Sequence, residues 1–599
     1  MRKSLTLLFL FTSLFSLSAP EDEAIKIFEK EQQRLEQERR RIEQERKQRE
    51  FENIKLSPSV QNNTEVVTDN TEPKFLIIEI NLYDNENLLN GNEEFSVLRK
   101  YKYTYMGSTD IQKLLTELTN KIISKGYITS AVTVSKDNDL KTGRLNLEII
   151  PGKVQEIIIN SGNILDRYKE FFMFGINKGD VLNIRDIDTA TENFNSLGSN
   201  NMTMEIVAGT KPNYSIIKIK NIMKDKYKLS LTGNNHGENN QSGFWRPGIS
   251  LNIDSPLGIG DNFLFSYLTV DKKIPDRGWK KKASELEAGE ILPIGPPGYD
   301  PLKGESLPYK RRLDMFTFVY TLKFREYTLK FNSSKSISES SFFPYNTVYD
   351  MKSASHTLSA NMERVMWRNQ RSKVSLGIGI KRKHNETYLE QSELSNRKLS
   401  IGNISLNMST SIFKGLLGIT LGHERGLGIF NAEKDKDKFD TTPKSRFKKY
   451  TVDINYYKPV TQKLIYRFNL TGSYSPDVMY GSERQTIGGV GSIGGYHRTG
   501  TLQGDRAIEV NSELSYNIPV FKKWGYFTPY ISYGYGATQN NKDNSRYRIG
   551  YMNGLTVGVR YNSKFFDFDF GYAKAMKHSE YLKPESQEMY FSGAFKIIF

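Results

Sequence analysis

From Lys226 to Phe599 the chain is a succession of segments that alternate apolar and polar side chains and carry many aromatic residues. A strand points successive side chains to opposite faces, so this pattern commits each segment to a sheet with one greasy and one wet side. YKLSLTGNN, NFLFSYLTV, MFTFVYTLKF, KVSLGIGIKRK, LIYRFNLTGSY and FFDFDFGYA are examples. About sixteen such segments follow one another, and short turns (SPLGIGD, RNQRS, VFKKWG) alternate with long polar loops, the asymmetry expected of a transmembrane β-barrel with antiparallel strands of roughly ten residues. The last segment, YFSGAFKIIF, places Phe591, Gly593, Phe595, Ile597 and Phe599 on one face. A strand edge cannot lie unpaired in lipid, so the first and last strands must meet. A soluble propeller or sandwich is the alternative for the strands taken alone.

Composition narrows the rest. The 599 residues include no cysteine, 34 Tyr and 34 Phe, and the net charge is +16. Disulfides and cysteine-based zinc sites are excluded. Mean hydropathy is −0.55, and the only long apolar run is at the extreme N-terminus, which argues against a helical membrane protein. A barrel escapes that argument because its lumen-facing residues are polar. The basic balance suits nucleic acid, lipid phosphates or an acidic passenger, but no nucleic-acid recognition module is visible.

Residues 1–18 read as a secretory signal: Arg2 and Lys3, then an apolar core, then the small residues Ser16 and Ser18. The following residues, 19–52, are almost all Glu, Gln, Arg and Lys, with Glu36–Arg40 and Glu43–Lys47 as favourable i,i+4 pairs. A helix of this length spans ~48 Å. Its apolar positions Phe28, Leu35 and Ile42 fall once per heptad, where a coiled coil needs two. Two readings stand: a solvated charged tract, or a polar helix that plugs a water-filled lumen. Residues 53–72 are linker-like.

Two small α+β units come next. In the first, 73–151, FLIIEINLYD reads as one strand. TDIQKLLTELTNKIISKGY is an amphipathic helix capped by Thr109 or Asp110 and ended by Gly126, and ITSAVTVS and RLNLEII are strands. In the second, 152–223, strands VQEIIINS, MTMEIVAG and YSIIKIKNI accompany helices RYKEFFMF and IRDIDTATENFNSL. Exposed sheet edges suit such units for docking an extended chain, and a spacer role is the plainer alternative.

Late in the barrel region, Ile487 to Asn511 is too long and glycine-rich for a hairpin turn, which fits a loop (476–507) folded back into the barrel. Gly489, Gly491 and Gly494 spell GxGxxG, but no helix pattern follows, so a dinucleotide site is not supported.

At these residues the chain resembles the TpsB transporters of two-partner secretion, the ShlB/FhaC-like outer-membrane proteins. GYITSAVTVSKDNDLKTGRLNLEIIPGKVQEI is similar to the end of that family's first POTRA domain, and GDVLNIRDIDTATENFNSL to a helix of the second. NIDSPLGIGDNF is similar to the first barrel hairpin turn, and LQGDRAIEVNSEL, with Gly504, Asp505 and Arg506, to the exit from the inward loop. The family's Val-Arg-Gly-Tyr tip corresponds here to Ile493, Gly494, Gly495 and Tyr496, and its strand aspartate to Gly534, beside Tyr533. Both charges of the family's tip pair are therefore missing together. Losing both leaves no buried charge unpaired. The resemblance implies that glycine packing, with Arg498 or Arg506, holds the loop, and that Gly494→Arg is better tolerated together with Gly534→Asp than alone.

The resemblance further implies a Gram-negative outer-membrane protein with periplasmic POTRA domains. It would bind an unfolded exoprotein of the TpsA type, an adhesin or haemolysin, and secrete it through the pore. Outer-membrane lipid and lipopolysaccharide would surround it, and the barrel assembly machinery would insert it. No cofactor or metal is implied. Rival readings are an outer-membrane assembly factor of the same superfamily, a porin-like channel, and an enzyme. Against the enzyme, the six histidines at 236, 356, 384, 423, 497 and 578 form no HExxH, and His423–Glu424 reads as loop polarity.

Overall fold

The computed structural model describes residues 73–159, 171–237, 244–270, 311–342, 349–436, 438–489, 491–496, 501–520, 525–542, 547–585 and 587–599. The signal segment and the polar helix, with Phe28, Leu35 and Ile42, lie outside the described residues, as do His497 and Arg498.

Sixteen strands from Tyr227–Asn234 to Glu588–Ile598 form a closed antiparallel barrel, with the two-residue piece Ile518–Pro519 beside them. The seam between the last and first strands is paired from Ser592↔Asn234 to Ile598↔Lys228. Backbone bonds between Tyr227 and Phe599, 2.9 and 3.0 Å, end it, and their rings stack 5.5 Å apart. Phe591, Phe595, Ile597 and Phe599 face outward as the alternation requires, while Glu588 and Tyr590 are buried on the lumen side. Wall height is uneven. The second and third strands, Arg246–Asp254 and Asn262–Thr269, have 9 and 8 residues; the seventh and eighth, Ser372–Leu389 and Ser392–Ile412, have 18 and 21.

The first small unit has a three-stranded sheet in the order Glu79–Tyr83, Arg144–Ile150, Ala131–Val134. The helix Ser108–Ser124 buries Ile111, Leu114, Leu118 and Ile122 against it. Each such side chain contributes about 1.5–3 kcal/mol by leaving water. Its cap differs from expectation: Gly107 is the capping position, and Asp110, three residues on, accepts the Gly107 amide at 3.2 Å. FLIIEINLYD is two strands, Phe75–Ile77 and Glu79–Tyr83, because the Ile78 and Glu79 amides both turn to the Gly143 carbonyl. A further helix, Gly91–Leu98, starts at a capping box between Asn90 and Glu93.

In the second unit the sheet order is Lys153–Ile159, Tyr214–Met223, Asn200–Ala208, and the helix Ile184–Asn195 covers it. This helix also ties the unit to the barrel's near rim. Glu192 is gripped by Arg368 at 2.6 Å and by Lys373, on either side of a barrel turn. The Asn193 amide donates to the Arg325 carbonyl at 2.8 Å, and the Ser199 amide to Asp254 at 2.8 Å. Phe171, Phe172 and Phe324 pack edge to face beside them.

Burial alone would raise the Glu192 carboxyl, but the charges and hydrogen bonds of Lys373 and Arg368 hold it down at about 2. A depressed carboxyl stabilises the junction above its free value of 4.5 and stops doing so as pH falls through about 2. Relative to the unstructured-chain rate at each pH, hydrogen exchange of Ile184–Asn195 should therefore stay slow at pH 5 and quicken as pH approaches 2. Glu192→Gln, by removing the anion between two cations, should cost on the order of 3 kcal/mol and produce the quickening already at pH 7. Unchanged exchange in that variant would deny the junction this role.

Candidate functional site in the inward loop

The segment between the eleventh strand, Leu464–Tyr474, and the twelfth, Arg506–Tyr516, does not project outward. It runs into the lumen as a small ribbon, Gln485–Ile487 paired with Leu502–Gly504, and its tip rests on the inner wall. Ile487, Ile493, Tyr496 and Leu502 cluster there with Met552 and Leu582, and the first three are fully buried.

The seat is shaped for backbone. A β-carbon on Gly494 would stand 2.1 Å from Thr556 Oγ1 and 2.8 Å from Ala573. Gly534 faces Ile493, whose atoms a β-carbon there would meet at 3.1–3.2 Å, while its neighbour Tyr533 points outward. Gly495 is doubly constrained: its φ is +87°, and a β-carbon would sit 2.3 Å from the Ala575 amide nitrogen. The tip itself makes neutral hydrogen bonds, and a buried carboxyl, Glu588, stands one step behind them. The Gly495 amide donates to Tyr590 Oη at 2.7 Å, Tyr590 donates to Glu588 at 2.9 Å, and Tyr496 Oη donates to the Asn553 carbonyl at 2.7 Å. Asn511 donates to the Ser492 carbonyl at 2.6 Å.

The tip thus carries no charge pair, and Gly494 and Gly534 touch different parts of the seat. A β-carbon at 494 would press on Thr556 and Ala573 and one at 534 on Ile493, so Gly494→Arg and Gly534→Asp each require the seat to give. Charge instead holds the loop's root. Asp505, wholly buried, accepts from the Met479 amide at 2.8 Å, the Asn541 amide at 2.9 Å and Arg484 at 3.0 Å. Gly504 packs on Thr538 beside it, and Arg506 lies over the Tyr474 ring at 5.0 Å. Across the lumen Glu483 meets Lys383 at 2.9 Å, with side chains only 2% and 3% exposed. Lys449 adds a bond to the Glu483 carbonyl at 3.0 Å.

Lower on the same wall, Arg560 grips Glu513 with two bonds of 2.7 Å, reaches Asp569 at 3.1 Å and covers the Tyr530 ring at 3.9 Å. Arg467 joins Glu513 at 3.1 Å. This network lies four residues below Thr556, ~13 Å along the strand. It escaped sequence reasoning because its members meet only through the register of five successive strands. One signal was legible: Arg467, Glu513, Arg560 and Asp569 each place a charge at a polar position of an alternating segment.

His423 stacks by Tyr450 at 4.8 Å and Glu424 pairs with Lys381 and Lys449. Among the described residues, no group of three or more His, Asp or Glu is placed to hold a metal. No described helix is long and apolar enough to cross a membrane.

A closed barrel with a loop seated in its lumen and two α+β units at one rim defines an outer-membrane transporter with periplasmic POTRA domains. Residues 213–561 match the family described as haemolysin secretion/activation protein ShlB/FhaC/HecB, and the chain belongs to that family. Residues 75–152 match the ShlB-type POTRA domain and 153–208 a further POTRA domain. The outer membrane transporter CdiB of Dickeya dadantii is 27% identical over 516 residues, 86% of this chain and 85% of its own. The hemolysin transporter protein HpmB of Proteus mirabilis is 24% identical, covering 79% and 77%. The solved structure of CdiB from Escherichia coli shares the fold with a TM-score of 0.79 at 20% identity, covering 94% of this chain and 98% of that one. These relatives are transporters.

Two substitutions test the seat. Gly495→Ala should displace the tip and raise single-channel conductance in planar bilayers. Gly491→Ala shares a positive φ of +80° but has nothing within 4 Å, and should leave conductance near wild type. Equal effects would mean that backbone conformation, not the seat, matters. For the root, Lys383→Met or Glu483→Gln alone should cost about 3–5 kcal/mol of barrel stability in urea. Lys383→Met with Glu483→Gln should cost less than the sum, and strict additivity would show that the pair is not coupled.

Proposed function

We propose that this protein exports a large partner exoprotein across the outer membrane by two-partner secretion. The observation that carries the reading is the lumen itself: a barrel wide enough to hold a folded-in loop, occluded at the tip by neutral contacts rather than by a buried ion pair. Such contacts are worth about 1 kcal/mol each and part without stranding a charge. The partner reaches the barrel unfolded. POTRA units supply sheet edges for it, and Asn200–Ala208, nine residues long at the edge of its sheet, is suited to accept an added strand. Disordered partners lose entropy on docking, which keeps such contacts weak and reversible. The loop tip lifts, and the chain threads through. Folding outside draws it forward, with no nucleotide needed. Two relatives named as hemolysin transporters support a haemolysin-like passenger.

The test is the protein content of culture medium from cells with and without the gene. One large protein should vanish from the medium and be degraded in the periplasm. An unchanged medium with other barrels missing from the outer membrane would replace this reading with an assembly factor.

A further inference from the structure

On the barrel's outer face, four adjacent strands carry a row of basic and imidazole side chains at one level. Lys335 lies directly opposite His356, His356 opposite His384, and His384 opposite Lys398. Arg382, two residues along the seventh strand, adds a fifth group on the same face. Lys335, His356 and Arg382 are exposed, whereas the alternate residues Ser334, Thr357 and Lys383 are buried toward the lumen. The row spans about 14 Å, three strand spacings.

Its level is marked by what lies below. Phe331, Leu358, Ile378 and Ile404 occupy the same outward face and are exposed, as an apolar band toward lipid requires. The row borders that band on the side away from the POTRA units, since Glu192 grips the opposite ends of these strands. Given the outer-membrane placement, this is the level of the outer-leaflet headgroups.

Like charges directly opposite on neighbouring strands repel. Two levels up the arrangement is complementary: Glu339 stands opposite both Arg312 and Lys352, at 3.5 and 3.7 Å. In the row itself the acidic contact is Glu386, 3.1 Å from His384, and His384 and His356 otherwise touch Asn396 and Ser333. Among the described residues, no acidic side chain forms an ion pair with Lys335, Arg382 or Lys398. Among the described residues, Lys335, Arg382 and Lys398 therefore carry positive charge without an acidic partner at the edge of the apolar band.

We infer that Lys335, His356, Arg382, His384 and Lys398 form a binding site for the phosphates of a glycolipid headgroup in the outer leaflet. Guanidinium and ammonium groups donate charge-assisted hydrogen bonds to phosphate oxygens. A row of this length fits a headgroup carrying more than one phosphate, its acyl chains lying along Leu358, Ile378 and Ile404.

The test uses full-length protein in detergent with added lipopolysaccharide, bound glycolipid being counted by native mass spectrometry. Replacing all five residues by Gln should lower retention at least tenfold, while Arg364→Gln at the opposite edge of the band should leave it unchanged. Lipopolysaccharide stripped of its phosphates should bind as poorly to wild type as the intact lipid binds to the variant. Heat-modifiable gel migration checks that the variant barrel is folded. Should it not fold, Lys335→Gln and Arg382→Gln are read singly, each with a severalfold loss. Equal retention by wild type and variants, or equal binding of the dephosphorylated lipid, overturns the assignment. So does displacement by millimolar inorganic phosphate, which marks a site for a free ion instead.

Discussion

Everything in this molecule follows from the need to pair the backbone where no water can reach it. In hydrocarbon each unsatisfied amide or carbonyl costs several kcal/mol, so a strand may end only where another begins. Seven register pairs between Ser592–Ile598 and Lys228–Asn234 meet that need at the seam, and the Tyr227–Phe599 bonds complete it. Closure then creates the second problem, a polar interior. The inward loop and the charge networks around Glu483, Asp505 and Glu513 answer it by filling and neutralising that interior.

The loop divides its labour by strength. Its root carries the charges, deeply buried and bonded to several partners at once. Its tip carries shape: glycines against a wall of small residues, with hydroxyls and backbone closing the remaining contacts. Removing one member of a buried ion pair is expensive, whereas a neutral hydrogen bond exchanges with water at little net cost. A loop built this way is fixed where it leaves the wall and free to yield where it crosses the channel.

Much of this was legible in the chain. Barrel strands declare themselves because lipid and lumen enforce opposite chemistry on alternate residues, and the glycine run at 487–511 marks a backbone that must lie close to another. The tip residues Ile493 and Tyr496 lie buried in the lumen, although the loop residue Arg498 falls outside the described residues. What stayed hidden depends on register between distant strands. Lys383 and Glu483 are a hundred positions apart, and Glu192 finds Arg368 only after the second POTRA unit meets a turn. The break at Ile78 depends on a carbonyl at Gly143, invisible to any local pattern. The helix Gly91–Leu98 is a different case, since Asn90 and Glu93 spell a capping box that local reading could have used.

One side chain serves two masters. Tyr590 holds the Gly495 amide of the loop tip, and it stands on the final strand, two residues before that strand's first pair with the seam partner. Coupling of this kind is reciprocal as a matter of thermodynamics. Whatever free energy the seated loop lends to the alignment of the closing strand, the closing strand returns to the loop. Rigidity at the seam and occupancy of the channel are then two readings of a single equilibrium, and neither can drift under mutation without carrying the other along.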